Sequence, residues 1–324
     1  MKHWIALTAL AALVGGAHAS DYPAKPITIV VPFAAGGPTD RVARDLAEAI
    51  RKPLGGATVI VDNAAGAGGS IGANKVAKAA PDGYTLLLHH IGMGTMPSLV
   101  RNIPFKVESD FEYLGMVNDV PMTVIGKPAM PANNYKELTS WISANKGKIN
   151  LGNAGIGSAS HLCGLLFQNA LQTDMTTVPY KGTAPAMSDL IGGQIDLMCD
   201  QTTNTTSQIE GKKVKAYAVT TPKRLSTASL KGLPTLQESG LKGFEVTIWH
   251  GLYAPKGTPA DVQTKLNTAL KTALKDPEFI RKQEGLGAVV VTDKRMEPAE
   301  HKKFVAAEIA KWSPVIKAAG VYAD

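Results

Sequence analysis

The 324-residue sequence lacks three features, and each absence excludes a class of protein. Beyond residue 19 it has no run of the roughly 20 apolar residues that a membrane helix needs, which argues against a polytopic membrane protein. Its 2 cysteines exclude a scaffold held together by many disulfides. Aromatic residues make up only 6% of the chain and the lysines are scattered despite a net charge of +7, so a nucleic-acid interface is not expected.

The N-terminus predicts an exported protein. Lys2 and His3 precede an apolar run over 4–14 that is too short to span a bilayer, and Ala17-His18-Ala19 fits the small-x-small rule for signal-peptide cleavage. We therefore expect residues 1–19 to be removed as a signal peptide, leaving a mature chain that begins at Ser20. The simplest destination for this mature protein, which we expect to be soluble, is a bacterial periplasm.

The two cysteines allow more than one interpretation. In an oxidising compartment, Cys163 and Cys199 are expected to form a disulfide, and two buried free thiols are the alternative. Together with His161 they could also be drawn as a zinc site, but a fourth ligand and the short paired spacing typical of zinc are missing. We therefore expect no metal and no cofactor.

Strand-like and helix-like stretches alternate along the chain and predict an α/β fold. Strands over 27–31, 58–61 and 85–88 alternate with helices over 39–51 and 71–79. This β-α-β-α-β order favours mostly parallel sheets with helices on both faces.

A second α/β series begins after Pro121, so we expect two lobes. The roughly 305 mature residues also exceed one comfortable hydrophobic core. We place lobe I at 20–122 plus 246–324 and lobe II at 123–245, with crossover segments near 120–124 and 245–248. Ligands of open α/β sheets bind at the carboxyl ends of the strands, so a cleft between the lobes is the expected site.

Two glycine-containing turns give the strongest indication of a binding site. The turn over 32–40 follows the strand at 27–31, and the turn over 153–161 follows a strand at 149–151. Each turn opens a helix, whose unpaired N–H groups and positive dipole end favour an anion, and glycine lets the backbone approach it closely. We expect one carboxylate or phosphate to be held from both sides as the lobes close by a hinge motion.

These motifs resemble, in order and along essentially the whole mature chain, the extracytoplasmic solute-binding proteins of the tripartite tricarboxylate transporters, also called the Bug family. The matching segments are Pro32-Phe33-x-x-Gly36-Gly37-x-Thr39-Asp40, Asn63-x-x-Gly66-x-Gly68-Gly69-x-x-Gly72, Pro81-Asp82-Gly83-Tyr84-Thr85-Leu86-Leu87, Gly155-x-Gly157-Ser158-x-Ser160-His161-Leu162, Val178-Pro179-Tyr180-Lys181-Gly182, Asp189-Leu190-x-Gly192-Gly193-Gln194-x-Asp196, Pro234-Thr235-x-x-Glu238-x-Gly240 and Ala254-Pro255-x-Gly257-Thr258-Pro259. Each segment alone is a weak signal, whereas all of them in this order are very specific.

The resemblance implies a type II periplasmic-binding-protein fold that binds a carboxylate, partly through ordered water, and catalyses no reaction. Its partners would be one large and one small integral membrane transporter subunit, and we expect the receptor to be a monomer. Mapped by motif, the resemblance assigns the ligand's proximal carboxylate to Phe33, Ala35, Gly36, Gly37, Thr39 and Asp40 of the first turn and to Ala154, Gly155, Gly157, Ser158 and Ser160 of the second.

Several of these assignments compete with an ordinary structural role. Thr39 and Ser158 are N-cap candidates whose hydroxyls could instead donate to a carboxylate. Asp40 is expected to accept backbone N–H bonds at the helix start rather than to contact an anion. His161 is expected to donate to a loop carbonyl or to orient Ser158.

Three further residues are candidates for the rest of the ligand. His89 and His90 end the third strand, where the family usually has small polar residues, and with Met93 they favour a larger, flatter ligand; one buried and one exposed histidine is the alternative. Asp200 begins a polar run over 200–206 that is either ligand-binding or a plain loop. The best guess is a dicarboxylate, with aromatic ones such as terephthalate included; C4–C6 aliphatic dicarboxylates and monocarboxylates such as nicotinate stay open.

Two other functions fit parts of the sequence. A receptor that docks on a sensor kinase needs the same cleft, so the sequence does not separate sensing from transport. A secreted hydrolase could be argued from Gly68-Gly69-Ser70-Ile71-Gly72, which matches the nucleophile-elbow pattern with Ser70 as the nucleophile. An elbow needs the serine at a strand-to-helix turn, whereas the preceding strand is predicted to end near Val61, so an enzyme is not expected.

Overall fold

The computed structural model describes residues 22–320, and the predicted signal peptide over 1–19 lies outside this range. The strands are β1 (Ile27–Val31), β2 (Val59–Asn63), β3 (Thr85–His90), β4 (Phe111–Gly126), β5 (Asn150–Asn153), β6 (Thr176–Pro179), β7 (Leu197–Gln201), β8 (Lys215–Val219), β9 (Thr247–Pro255) and β10 (Val289–Val290). The helices are α1 (Pro38–Arg51), α2 (Ser70–Ala77), α3 (Gly92–Leu99), α4 (Tyr135–Ala144), α5 (Ala159–Leu171), α6 (Thr183–Ile191), α7 (Thr202–Glu210), α8 (Ala260–Ala273), α9 (Pro277–Gly285) and α10 (Pro298–Ala319). Within residues 22–320, none of these helices combines the length and hydrophobicity of a membrane span.

The strands form one mixed sheet. Its order is β2-β1-β3-β9-β4-β7-β5-β6, and β8 and β10 also pair with β4. β1 pairs in parallel with β2 and β3, and β5 pairs in parallel with β6 and β7. β4 and β9 run antiparallel to all their neighbours. The predicted α/β class is therefore confirmed, with the antiparallel pairing confined to the middle of the sheet.

The long strand β4 joins the two halves of this sheet. Residues 111–121 pair with β9, whereas residues 122–126 pair with β7 and β8. The sequence predicted that a second α/β series begins after Pro121, whereas β4 runs through this proline. In the structure Pro121 lies where β4 changes partners. The second predicted crossover, near 245–248, contacts the end of β8: the Thr220 hydroxyl donates to the Val246 carbonyl at 2.6 Å. The division into lobes at 20–122 plus 246–324 and 123–245 stays a prediction.

The β1–α1 unit shows how the apolar pattern positions a turn. Val42, Leu46 and Ile50 recur every four residues, so they form one buried face of α1, which packs with Ile27 and Ile29 of β1. Each such side chain contributes about 1.5–3 kcal/mol by leaving water. This packing fixes the start of α1 beside the carboxyl end of β1.

The disulfide between Cys163 and Cys199 is present, with Cα atoms 6.0 Å apart. It joins α5 to β7, and both cysteines are buried. The zinc interpretation is wrong because the two sulfur atoms are bonded to each other. On the chain-entropy model, closing a loop of this length stabilises the fold by up to about 4 kcal/mol.

Two segments fold differently from expectation. The polar run over 200–206 is not a plain loop, because its first two residues complete β7 and the next residues begin α7. The short helix α3 was not predicted. Its two glycines and Pro97 are typical of loops, and the segment does not alternate between a polar and an apolar helix face. Its Met93 is fully buried in the hydrophobic core.

Candidate functional site

Four helices begin around one small cavity. The residues at these helix starts that line it are Pro38 and Thr39 of α1, Ala159 and Ser160 of α5, Thr183 of α6, and Gln201 before α7. Phe33, His90, Ala154 and Asp200 also line it. The cavity volume is about 10 Å³, which is room for one water molecule. Within the described residues, this lining contains no lysine or arginine. Because each helix start carries roughly half a positive charge, the cavity favours an anion without a formal cation.

The first turn is held in shape by Asp40. Its Oδ2 accepts the Gly36 N–H at 2.9 Å, as predicted, and its two oxygens also accept from Arg44 and Asn63. Burial raises the pKa of Asp40, but these hydrogen bonds outweigh it and the pKa is lowered overall. The prediction that Thr39 is the N-cap is wrong, because Gly37 takes that position and a proline follows it. Asp40 therefore shapes the turn without lining the cavity.

The Thr39 hydroxyl belongs to a buried chain of hydrogen bonds. Thr39 Oγ1 lies 3.2 Å from His250 Nε2, and His250 Nδ1 lies 2.8 Å from Asn118 Oδ1. Asn118 Nδ2 donates to Gln283 Oε1 at 2.8 Å, and Gln283 Nε2 donates to Asp45 Oδ2 at 2.7 Å. The sequence did not predict this chain of hydrogen bonds, because its members come from four different elements.

The direction of this chain follows from its last member. A carboxylate only accepts, so Asp45 fixes the amide orientation of Gln283, and Gln283 fixes that of Asn118. The Asn118 oxygen must then accept from His250 Nδ1–H, which leaves His250 Nε2 as an acceptor. The Thr39 hydroxyl therefore donates to His250 and offers the cavity only its lone pairs. This corrects the prediction that the Thr39 hydroxyl donates to a carboxylate; the Thr39 side-chain oxygen can instead accept from a ligand or a water.

In the second turn, Ser158 has the predicted role of N-cap. Its Oγ accepts the His161 N–H at 3.2 Å and lies 3.2 Å from Ser160 Oγ. His161 Nδ1 accepts the Gly157 N–H, so the neutral ring carries its proton on Nε2, and donation from His161 to a loop carbonyl stays a prediction. Burial lowers the pKa of His161 to about 4. Ser160 Oγ accepts the Ala154 N–H at 2.7 Å, and it is Ser160 rather than Ser158 that lines the cavity.

Glycines allow the two sides of the site to touch. The Ala34 N–H of the first turn donates to the Lys181 carbonyl, just before α6, at 3.1 Å. A Cβ on Gly182 would lie 2.8 Å from the Ala34 nitrogen, and a Cβ on Gly68 would lie 2.1 Å from the Ile156 oxygen. Only residues without a side chain permit such contacts.

A family described as the tripartite tricarboxylate transporter family receptor, TctC, matches residues 42–321 of the chain. The chain belongs to this receptor family. The resemblance inferred from the glycine turns and the other motifs is therefore confirmed, and the protein is a solute-binding receptor of the TctC, or Bug, family.

Solved structures of periplasmic binding proteins are similar to this receptor over most of its length. The periplasmic binding protein BugD is 54% identical with a TM-score of 0.90, over 93% of this chain and 99% of BugD. MatC from Rhodopseudomonas palustris, solved with bound malate, is 36% identical with a TM-score of 0.86, over 91% of this chain and 100% of MatC. Another protein from R. palustris, solved with adipate, is 32% identical with a TM-score of 0.86, over 93% of this chain and 99% of that protein. The predicted periplasmic-binding-protein fold is confirmed.

Both histidines at the end of β3 are buried in this receptor, so the alternative of one buried and one exposed histidine is wrong. His89 Nδ1 accepts the His90 N–H at 2.7 Å, and His90 Nδ1 accepts the Gly92 N–H at 2.9 Å. Each neutral ring therefore carries its proton on Nε2. Burial lowers the pKa of His90 to about 3. The His90 ring stacks on Phe33 with centroids 4.6 Å apart. His90 lines the cavity, whereas His89 does not. His89 Nε2 is buried and has no hydrogen-bond partner.

Asp200 is fully buried in the lining. Its Oδ2 accepts from Asn204 Nδ2 at 2.6 Å, and its Oδ1 has no hydrogen-bond partner. Burial raises the pKa of Asp200 to about 7; the Asn204 hydrogen bond opposes the rise, as do the nearby Gln201 N–H and Thr183 hydroxyl, which do not reach hydrogen-bond geometry. Thr183 Oγ1 and Gln201 Oε1 are also buried without a well-formed hydrogen bond. The cavity therefore gathers several polar atoms that a ligand could satisfy.

The predicted site residues divide into two groups. Those that line the cavity are Phe33, Thr39, His90, Ala154, Ser160 and Asp200. Those that do not line it are His89 of β3 and the turn residues Ala35, Gly36, Gly37, Asp40, Gly155, Gly157 and Ser158. The sequence missed Pro38, Ala159, Thr183 and Gln201, although the rule that helix starts bind anions could have found them. Ligand contact by any of these residues stays a prediction.

The geometry around Ser70 does not match a nucleophile elbow. Strand β2 ends at Asn63, and a 3-10 turn over Ala67–Gly69 separates it from α2, which begins at Ser70. The serine is thus not at a strand-to-helix turn, so the structural requirement of the hydrolase hypothesis is not met.

Replacing Ser158 with alanine is expected to reduce stability more than affinity. The substitution removes an N-cap, which typically costs about 1 kcal/mol. Ser160→Ala, which removes a lining hydroxyl from the same turn, is the matched comparison and should weaken ligand binding more. Urea denaturation and calorimetric titration of both variants measure the two effects. A larger loss of affinity in Ser158→Ala than in Ser160→Ala would contradict this assignment.

Proposed function

We propose that the mature protein is a periplasmic receptor that captures an organic dicarboxylate and delivers it to a tripartite tricarboxylate-type transporter with one large and one small membrane subunit. The observation that carries this proposal is the meeting of four helix starts at a cavity whose described lining has no lysine or arginine. Backbone N–H groups at such starts bind carboxylates.

Within this class we favour a short aliphatic dicarboxylate over an aromatic one such as terephthalate. Two relatives with more than 30% identity were solved with malate and with adipate. The Phe33 and His90 rings pack on each other rather than leaving a flat slot, and Met93 lies in the core away from the cavity. These features reduce the case for a large, flat ligand.

The receptor is proposed to release its ligand unchanged. The low pKa of His90, about 3, makes this ring a poor base near neutral pH. The Thr39 hydroxyl donates to His250, but burial lowers the pKa of His250 well below its usual value, so this ring too is a poor base near neutral pH; the Ser160 hydroxyl oxygen accepts the Ala154 N–H. This arrangement supports binding of the ligand without a chemical reaction.

A thermal-shift screen of the mature protein tests the proposal, with hits confirmed by calorimetry. Succinate, malate, adipate, terephthalate, nicotinate and citrate are compared, with diethyl succinate as the uncharged control. A true ligand at 100 times its Kd should stabilise the fold by about 2.7 kcal/mol. We expect the largest shift with an aliphatic dicarboxylate, and recovery of that ligand unchanged by NMR after prolonged incubation. If no carboxylate shifts the transition, the proposed function is wrong.

A further inference from the structure

Asp200 places a carboxyl group of the protein inside a site that is suited to an anion. It lines the same small cavity as the starts of α1, α5 and α6, and its Oδ1 has no hydrogen-bond partner. A ligand carboxylate held at these helix starts would share their partial positive charge with Asp200. In a cavity of about 10 Å³ there is little water to screen two negative charges from each other.

The titratable and charged groups around Asp200 do not supply a compensating cation. His90 lies in the lining with Asp200, and the other groups next to the lining are His89 of β3, His161 of α5, His250 of β9, Asp40 and Arg44 of α1, and Lys181, whose side chain is exposed. Burial lowers the pKa of all four histidines, so these rings are neutral near pH 7.

Arg41 and Arg44 of α1 form ion pairs with carboxylates other than that of Asp200. Arg44 binds Asp40 through two hydrogen bonds, and Arg41 pairs with Asp45 at 3.4 Å; both arginine side chains are about half exposed. The direct side-chain hydrogen bond to Asp200 comes from the neutral amide of Asn204. A proton is then the simplest means of neutralising Asp200 once a ligand carboxylate is bound.

We propose that Asp200 takes up one proton when the ligand binds, so that the receptor captures its dicarboxylate together with a proton. This inference rests on the proposed function. The proton, drawn from solvent, adds to Oδ1 and no other bond forms or breaks. The resulting acid donates from Oδ1 to a ligand oxygen, while Oδ2 continues to accept from Asn204.

The surroundings of Asp200 have the electrostatics that such proton uptake needs. Burial raises the pKa of Asp200 to about 7, so a substantial fraction of the group is ionised at neutral pH and can gain a proton. A nearby ligand carboxylate raises the pKa further, because like charges disfavour the ionised form. Linkage then requires affinity to fall as the pH rises, by about tenfold per pH unit where one full proton is taken up.

Calorimetric titrations with malate and adipate between pH 7 and 9 test the inference. Each titration is repeated in HEPES and in Tris, because the difference in heat between the two buffers gives the number of protons taken up. We expect close to one proton for the wild type at pH 8 and a Kd that weakens about tenfold per pH unit. In Asp200→Asn, whose amide does not titrate, both the proton uptake and the pH dependence should disappear.

Asp261→Asn is the matched control, because it removes an exposed carboxylate from the first turn of α8, outside the lining. This variant should show the wild-type proton number and pH slope. If Asp200→Asn does not fold, the comparison of buffers with the wild type and Asp261→Asn alone decides the question.

The outcomes separate this inference from the proposed function. Binding of malate or adipate with no proton uptake and a constant Kd would overturn the inference and leave the function standing. Binding that strengthens with pH and is lost in Asp200→Asn would also overturn it, since Asp200 would then act as an anion toward a cationic group. Failure of both probes to bind the wild type at any of these pH values, with no response to any carboxylate in the screen, would overturn both proposals.

Discussion

Replacing Gly68 with alanine is expected to weaken ligand binding by at least about 100-fold, which corresponds to about 3 kcal/mol. The added Cβ would lie 2.1 Å from the Ile156 carbonyl oxygen, and both atoms belong to backbone or are fixed directly to it. No rotamer change relieves such a clash, so the two turns would have to stay apart. The cavity has room for only about one water molecule, so we expect a dicarboxylate to enter while the turns are apart and the turns to close on it afterwards.

Gly55→Ala is the matched control for this substitution. Gly55 has a φ of 70°, close to the 61° of Gly68, but a Cβ there would meet nothing within 4 Å. Both variants should lose about 1 kcal/mol of stability, because alanine is disfavoured in the left-handed region. Calorimetric titration with the ligand identified by screening should show lost affinity only in Gly68→Ala. Wild-type affinity in Gly68→Ala would show that this contact is not needed for binding.

Acidification from pH 6.5 to pH 5 is expected to destabilise the ligand-free protein by several kcal/mol. All five histidines within the described residues are buried, and burial lowers the pKa of His90 and His301 to about 3 and that of His161 to about 4. In the unfolded chain each titrates near 6.5. These histidines therefore contribute stability above pH 6.5 that is lost as the pH falls toward their folded-state pKa values.

The size of this effect follows from the same pKa values. Each of these three histidines loses about 1.6 kcal/mol of stabilisation between pH 6.5 and pH 5, or about 5 kcal/mol together. Asp200 acts in the opposite direction, because its pKa is raised to about 7 in the folded state. As the pH falls from 6.5 to 5, the folded protein binds a proton at Asp200 that the unfolded chain does not bind. This gain offsets about 2 kcal/mol of the stability lost through the histidines. The remainder is a large share of a typical total stability of about 5–15 kcal/mol.

Urea denaturation at pH 7.5, 6.5, 5.5 and 5 measures this loss. His301→Asn provides the internal comparison, because His301 lies outside the cavity lining and its Nδ1 accepts the Gly115 N–H, a role that an asparagine oxygen can take. The variant should show a pH dependence smaller by about 2 kcal/mol over this interval, whatever its absolute stability. A free energy of unfolding that stays constant between pH 6.5 and pH 5 would contradict the prediction.

The parts of the site that the sequence predicted well depend on neighbours along the chain. A strand, a glycine turn and an amphipathic helix in succession predicted both turns and the starts of α1 and α5. Asp40 lies four residues from the Gly36 N–H that it accepts, and Ser158 lies three residues from the His161 N–H, so short-range capping rules found both roles. Cysteine number and compartment were enough to predict the bond between Cys163 and Cys199.

By itself, then, the sequence determined the α/β class, the receptor family, the two glycine turns and the disulfide, because each depends on local periodicity or on ordered motifs. Only the tertiary structure decided which way the Thr39 hydroxyl points, because His250 is 211 residues away and takes its own orientation from Asn118. It also decided that α6 and α7 begin at the same cavity and that Asp200 is buried there. Hydrogen-bond direction and desolvation are set by groups brought together from distant parts of the chain, and hydrophobic periodicity does not report them.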